Sequence, residues 1–197
     1  MSKVAQSPFG KMLSNHEGVA AIEFALVAPI MIFFYFGMTE ITMAISADRK
    51  VAHTASVVGD LATQVTEINK AELESILTAA LIVVDADTNT SSKLGVELIS
   101  YELDGSNSVV EVGYAKMGPI SGTAFDTAKV KDMMTTTSGA VVARVNFEYQ
   151  PVTMSYVQKM TLSETFILKP RKSASVIFDE GGTSTFSCTV SGMTPSC

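Results

Sequence analysis

The sequence predicts an α+β protein in which one long N-terminal helix, apolar enough to cross a membrane, packs on a small head built around an antiparallel sheet. Three observations carry this expectation. No side chain from Phe24 to Thr39 is charged; the apolar residues beyond that run recur every three or four positions; and from Leu94 onward the period falls to two. At 197 residues, the chain has room for an anchor and one domain rather than an anchor and two.

The apolar run comes first. Extended through Val19 to Ile22 and on to Ile41, it is long enough to cross a hydrocarbon core of about 30 Å with some tilt. Glu23 and Glu40 fall near its ends, where a carboxylate reaches the interface more cheaply than at mid-depth. Lys3, Lys11 and His16 precede the run against Glu17 alone, whereas Glu40 and Asp48 come after it and before Arg49 and Lys50. This balance favours an amino end on the cytoplasmic side. A cleaved secretory peptide is the competing reading, with the small residues around Ala44 or Ala47 as its cut site. The length of the apolar region and the early Glu23 count against it. Pro29 removes one backbone donor inside the span, either kinking it or sitting there as a tolerated membrane proline.

The junction Gly18-Val19-Ala20-Ala21-Ile22-Glu23-Phe24 is more specific. A short polar leader ends in glycine, and a glutamate stands fifth after that glycine, which is the pattern of a prepilin-type processing site. Together with the run from Ala20 to Leu26, Pro29 and Glu40, this segment resembles the TadE/TadG-like family, the small pilin-like proteins of the tight-adherence pilus system. A looser similarity lies at Glu164 to Arg171. The resemblance implies pseudopilins or minor pilins, several of them cut by an aspartic prepilin peptidase of the inner membrane. Carried to this chain, it implies cleavage between Gly18 and Val19, with Glu23 and Phe24 as assembly residues. The ammonium freed at Val19 would then offer Glu23 a partner, in the same chain or a neighbour; otherwise Glu23 simply reaches the headgroups. Longer relatives carry a von Willebrand-like domain with an acidic metal motif, and no Asp-x-Ser-x-Ser run is present here.

Beyond the span, Ala44, Ala47, Val51, Ala55, Val58, Ala62 and Val65 form an apolar stripe, so the helix is expected to continue as an amphipathic segment against the head. Gly59 weakens its middle and could mark a break. A second helix begins at Asn69, which with Glu72 forms a capping box, and buries Leu73, Ile76, Leu77, Ala80 and Leu81. Residues 85–93 read as a loop.

Leu94, Val96 and Leu98 open a strand, Asp104-Gly105-Ser106-Asn107 a turn, and Val110, Val112 and Tyr114 the returning strand of a hairpin. Val141 to Tyr149 alternates most cleanly, with Val141, Ala143, Val145, Phe147 and Tyr149 on one face and Pro151 at its end. Further strands are expected at Val152 to Val157, Leu162 to Leu168 and, at the edge, Ser173 to Phe178, with a short helix around Ala124 to Met133. The methionines, 11 in all, read mainly as flexible core filling. The expected organisation is therefore a cytoplasmic leader over 1–18, a membrane helix over 19–41, its amphipathic continuation over 42–68, an extracytoplasmic head over 69–178, and a Gly-, Ser- and Thr-rich tail over 179–197.

Little in the sequence points to chemistry. Its 2 histidines, His16 and His53, are far apart, and no His-Glu-x-x-His arrangement or phosphate-binding loop occurs. Asp85, Asp87, Glu97 and Asp104 lack the spacing of a calcium-binding loop and read as ordinary loop acids. Ser187-Cys188 has no histidine near it. Cys188 and Cys197 form a terminal disulfide if that end faces an oxidising compartment, and are two free thiols otherwise. No enzymatic activity and no cofactor is expected. A net charge of -6, from 14 basic and 20 acidic residues, leaves no basic patch for a phosphate backbone, so nucleic acid is not an expected partner.

The resemblance implies as partners a prepilin peptidase, other pilins or pseudopilins, inner-membrane assembly proteins and the lipid bilayer. It places the chain in a bacterial inner membrane, amino end in the cytoplasm and head in the periplasm, with incorporation into a surface pilus as an extension. Three functions stay open: a subunit needed to assemble or initiate the pilus, a stationary bitopic assembly factor, or an envelope protein unrelated to pili.

Overall fold

A computed structural model describes residues 18–86, 90–120, 125–135, 138–151 and 156–197. Helix α1, Val19–Thr63, is continuous over 45 residues. At about 1.5 Å per residue, it is roughly 68 Å long. Its first part is apolar all round, as a helix in lipid must be, and is long and apolar enough to cross a membrane. Pro29 lies within it without ending it.

The second part of α1 turns amphipathic and seats Val51, Thr54, Ala55, Val58, Gly59 and Ala62 against the head. Gly59 marks no break. It is a contact point where the Leu168 side chain occupies the space a β-carbon would need, and Ala143 Cβ lies 3.2 Å from the same place. The helix ends at Thr63, before the expected limit of its amphipathic continuation, because the chain turns to form strand β1, Glu67–Ile68. Arg171 closes that end: its backbone amide donates to the Thr63 carbonyl at 3.0 Å, and its guanidinium pairs with Asp60. A cation suits the negative end of the helix dipole.

Helix α2, Lys70–Val83, starts where the capping residue predicts, with Asn69 Oδ1 accepting from the Glu72 amide at 2.9 Å. It buries Leu73, Ile76, Leu77, Ala80 and Leu81, the face the spacing specifies. Each of the leucine and isoleucine side chains contributes on the order of 1.5–3 kcal/mol on leaving water, and Ala80 less. A single 3-10 turn, Ser91–Lys93, leads into the sheet.

Strands β2, Leu94–Leu103, and β3, Val109–Met117, form the expected hairpin. Its turn is held by Asp104, whose carboxylate accepts from the Ser106 hydroxyl and from the Ser106 and Ser108 amides. These bonds, led by that of the Ser106 hydroxyl, hold the Asp104 carboxyl below its usual range. A short helix α3, Ala128–Lys131, falls inside the expected stretch, of which Ala124 lies outside the described residues. Strands β4, Ala140–Tyr149, and β5, Met160–Leu168, pair antiparallel.

The remaining chain departs from the expected layout. Of Ser173 to Phe178, only β6, Ile177–Phe178, is a strand, and it pairs parallel with β1, apart from the main sheet. Residues 179–197 are more than a tail: β7, Thr185–Ser191, and β8, Thr194–Ser196, extend the main sheet. The six-stranded order is β5-β4-β2-β3-β7-β8, and β7 runs parallel to β3, so the sheet is mixed rather than antiparallel throughout. Of Val152 to Val157, residues 152–155 lie outside the described residues, and Tyr156 and Val157 are not in a strand.

The sheet carries apolar residues on both faces. One core joins α1 and α2 to Leu94, Val96, Leu98, Val141, Ala143 and Val145. A smaller one on the opposite face gathers Ile99, Tyr101, Val142, Val130 and Met134. The architecture is thus α+β, one long helix packed on a sheet head.

Candidate assembly site at the membrane boundary

The residues expected to matter for processing and assembly lie at the bare end of α1. Gly18 directly precedes the helix, and among the described residues no atom beyond its chain neighbours lies within 4 Å of where a β-carbon on it would stand. Val19 is the first helical residue and is about half exposed at 48%, while Phe24 is 73% exposed. Glu23 is exposed one turn after Val19, on the same helix face. From Val19 to Phe36, no residue is buried against the head. These side chains need lipid or another helix as their apolar surroundings.

At the other end of the span, the helix meets the head. Phe33, Gly37 and Glu40 recur at four and three positions and so share a face. Gly37 supplies the closest approach: an added β-carbon would meet the Tyr156 ring at 3.2 Å. The ring also stands edge-on to Phe33, centroids 4.9 Å apart, and its hydroxyl donates to the Phe33 carbonyl at 3.0 Å. Glu40 is only 2% exposed, and its Oε2 accepts from the amides of Tyr156 at 3.0 Å and Val157 at 3.4 Å.

A buried carboxylate is costly unless hydrogen-bonded, and charge-assisted bonds from backbone amides are among the stronger ones. Glu40 is therefore an anchor for the segment that enters β5, and does not simply reach for the interface. Its charge extends to Tyr149, whose hydroxyl is pushed up first by burial and then by Glu40. An apolar groove of about 580 Å³, lined by Phe34, Met38, Ile41, Ile45 and Tyr156, runs beside the contact.

Glu23 and Glu40 bracket the bare segment. Seventeen positions of helix place them about 26 Å apart along the axis, close to the thickness of a hydrocarbon core. Sequence reasoning found both acids and missed the partner of the second. The only local signal was Gly37 three residues before Glu40, since Tyr156 is 116 positions away.

The other polar candidates do not converge. Asp85 pairs with Lys50 at 2.9 Å, Glu97 with Arg144 at 3.2 Å, Asp104 holds its turn, and Asp87 lies outside the described residues. His53 is exposed on α1. Among the described residues, no group of three or more histidine, cysteine or acidic side chains is placed to hold a metal ion. Cys188 and Cys197 are disulfide-bonded with α-carbons 4.0 Å apart, and the Cys197 amide donates to Glu74 Oε1 at 3.0 Å. The chain end is so held to both β7 and α2.

Residues 18–59 match a family model described as TadE-like protein. The match opens on Gly18 and covers the bare segment, the Gly37–Glu40 contact and the amphipathic stripe to Gly59, leaving the sheet outside it. No curated protein and no solved structure matches the chain. In its helix, then, the chain is similar to TadE-like proteins.

Proposed function

We propose that this chain is a pilin-like subunit of a bacterial envelope, inserted by α1 with its amino end in the cytoplasm and its head in the periplasm, and serving the assembly or initiation of a tight-adherence pilus. A prepilin peptidase cuts between Gly18 and Val19. The observation that carries this reading is a coincidence of boundaries: the family similarity begins at Gly18, the helix begins at Val19, and an exposed carboxylate, Glu23, stands one turn later.

The chemistry rests on that spacing. Cleavage frees an ammonium group at Val19, four positions before Glu23, and neutralises a carboxylate that is expensive at the edge of hydrocarbon. Within one chain, the pair would lie on one helix face. Between chains, the same pair would fix the depth at which one α1 sits beside another. Phe24 and the apolar side chains around it would exchange lipid for helix contacts, which costs little because both surroundings are apolar. The partners are accordingly the peptidase, other pilins or pseudopilins, inner-membrane assembly proteins and the bilayer.

A second reading, a stationary bitopic assembly factor, draws on the Glu40–Tyr156 contact, which fixes the head at the end of its own anchor. Fractionation separates the two. A subunit appears in sheared surface fibres, and Glu23→Ala reduces its recovery there while membrane levels hold. Confinement of the wild-type chain to the inner membrane would select the stationary factor. Normal pilus assembly in a strain lacking the chain would overturn both.

A further inference from the structure

On the sheet face turned away from α1, β2 and β3 form a cavity of about 460 Å³ that the assembly reading does not use. Tyr101 and Tyr114 from the hairpin and Phe125 from the segment before α3 supply aromatic walls, and Glu97 and Glu111 supply carboxylates. The register explains the grouping: Tyr101 lies opposite Glu111 and Ile99 opposite Tyr114, so alternate residues of both strands face one side.

The cations nearby leave this charge incompletely answered. Arg144 pairs with Glu97 at 3.2 Å and lies over the Phe125 ring, 5.7 Å from its centroid. Lys116 is level with Glu97 in the register, but is exposed and forms no ion pair among the described residues. Glu97 is only 7% exposed; its Oε1 accepts from the Tyr114 hydroxyl at 3.0 Å, whereas Oε2, though in ion contact with Arg144, receives no hydrogen bond. Glu111 has no ion-pair partner among the described residues, and burial, then the charge of Glu97, pushes its carboxyl up.

Two carboxylates line a cavity large enough to admit a ligand, and only one of them is paired with a cation among the described residues. Aromatic faces favour cations, and the Glu111 carboxylate, in no ion pair among the described residues, can accept from N–H. We propose that this cavity binds a primary ammonium group on a short aliphatic stem, the stem lying against Tyr101 and Phe125 and the ammonium donating to Glu97 and Glu111. A free alkylamine and the lysine side chain of a partner protein share this chemistry. A quaternary ammonium has no N–H to donate and fits less well.

The test is a titration of the full chain in detergent micelles, monitored by NMR of its labelled phenylalanine and tyrosine rings. n-Butylammonium is expected to shift the Phe125 and tyrosine signals saturably, with tetramethylammonium and n-butanol weaker by roughly fivefold or more. Glu111→Gln, an exposed position outside the ion pair, should weaken butylammonium to a similar degree with the rest of the spectrum unchanged. Phe125→Leu provides a second variant that removes a wall without touching charge, and should also weaken binding. Tighter binding of an acetylated, amidated lysine than of butylammonium would identify a protein side chain as the source; the reverse order would identify a free amine. Absence of saturable shifts, equal binding of n-butanol, or unchanged affinity in both variants would overturn the proposal. None of these outcomes depends on processing at Gly18.

Discussion

The backbone amide of Tyr156 donates to Glu40 Oε2 at 3.0 Å, joining the boundary of the bare helix to a segment 116 positions later. The Tyr156 hydroxyl returns to the same helix at Phe33. Glu40→Ala would leave two amides without this acceptor, so unfolding stability should fall by about 1–3 kcal/mol. Glu40→Gln, which keeps a carbonyl oxygen, should lose less. Denaturant titration in micelles measures both, and equal stability of the alanine variant and wild type would contradict the anchoring role.

Gly37 makes room for the Tyr156 ring. Leucine there cannot share that space, and displacing the ring should cost about 1–3 kcal/mol. The check is cleavage by an added protease near residue 156, expected to quicken in Gly37→Leu and to stay near wild type in Gly37→Ala, where the ring need give only slightly.

Gly59 meets the Leu168 side chain and Ala143 where α1 crosses β4 and β5. Replacing Gly59 with leucine overfills that crossing, and the loss of about 1–3 kcal/mol should exceed any gain in helix propensity, which is worth about 1 kcal/mol or less. Adding Leu168→Ala should recover part of the loss. A double-mutant cycle by thermal or denaturant unfolding would show this as a non-additive pair; strict additivity would place the two side chains apart.

The Cys188–Cys197 bridge closes a short loop across β7 and β8. Its removal in Cys188→Ser should lower stability by about 2–3 kcal/mol, measured against wild type under oxidising conditions. Under reducing conditions, the two proteins should converge.

Burial first, then Glu111 and Glu97, pushes the Tyr101 hydroxyl up to about 12; burial and the bond donated to Glu97 do the same for Tyr114. A tyrosine whose folded value is raised above its unfolded one, about 10, adds stability that is complete below that lower value. The contribution is lost as pH rises through about 12. Absorbance titration of the phenolates should therefore show late-ionising tyrosines, and stability should decline over this same alkaline window. In Tyr101→Phe, the decline should be smaller.

What the sequence made legible was local. The uncharged run identified the bare part of α1, and the spacing from Val51 to Ala62 its buried face. Asn69 and Glu72 located the start of α2, and alternation along β4 named the side that meets the helices. What escaped depends on distant pairing. β7 alternates Phe186, Cys188 and Val190 with serine and threonine, a period-two signal obscured by a hydroxyl-rich composition. Its parallel pairing with β3 has no turn sequence to announce it. Within the candidate site, the helix start after Gly18 and the exposed Glu23 one turn later could be read directly, because both are local; the cut proposed between Gly18 and Val19 rests on the same local pattern. The burial of Glu40 could not, because its amide donors come from residues 116 and 117 positions further along the chain.

The central claim is that α1 is exposed for assembly by a cut at its first residue. It is tested most directly by the N-terminal sequence and intact mass of the protein isolated from native membranes. The expected chain begins at Val19 and, after disruption of the prepilin peptidase or in a Gly18 variant the peptidase does not accept, retains residues 1–18. A wild-type chain that still carries those residues, with the peptidase active in the same cells, would contradict it.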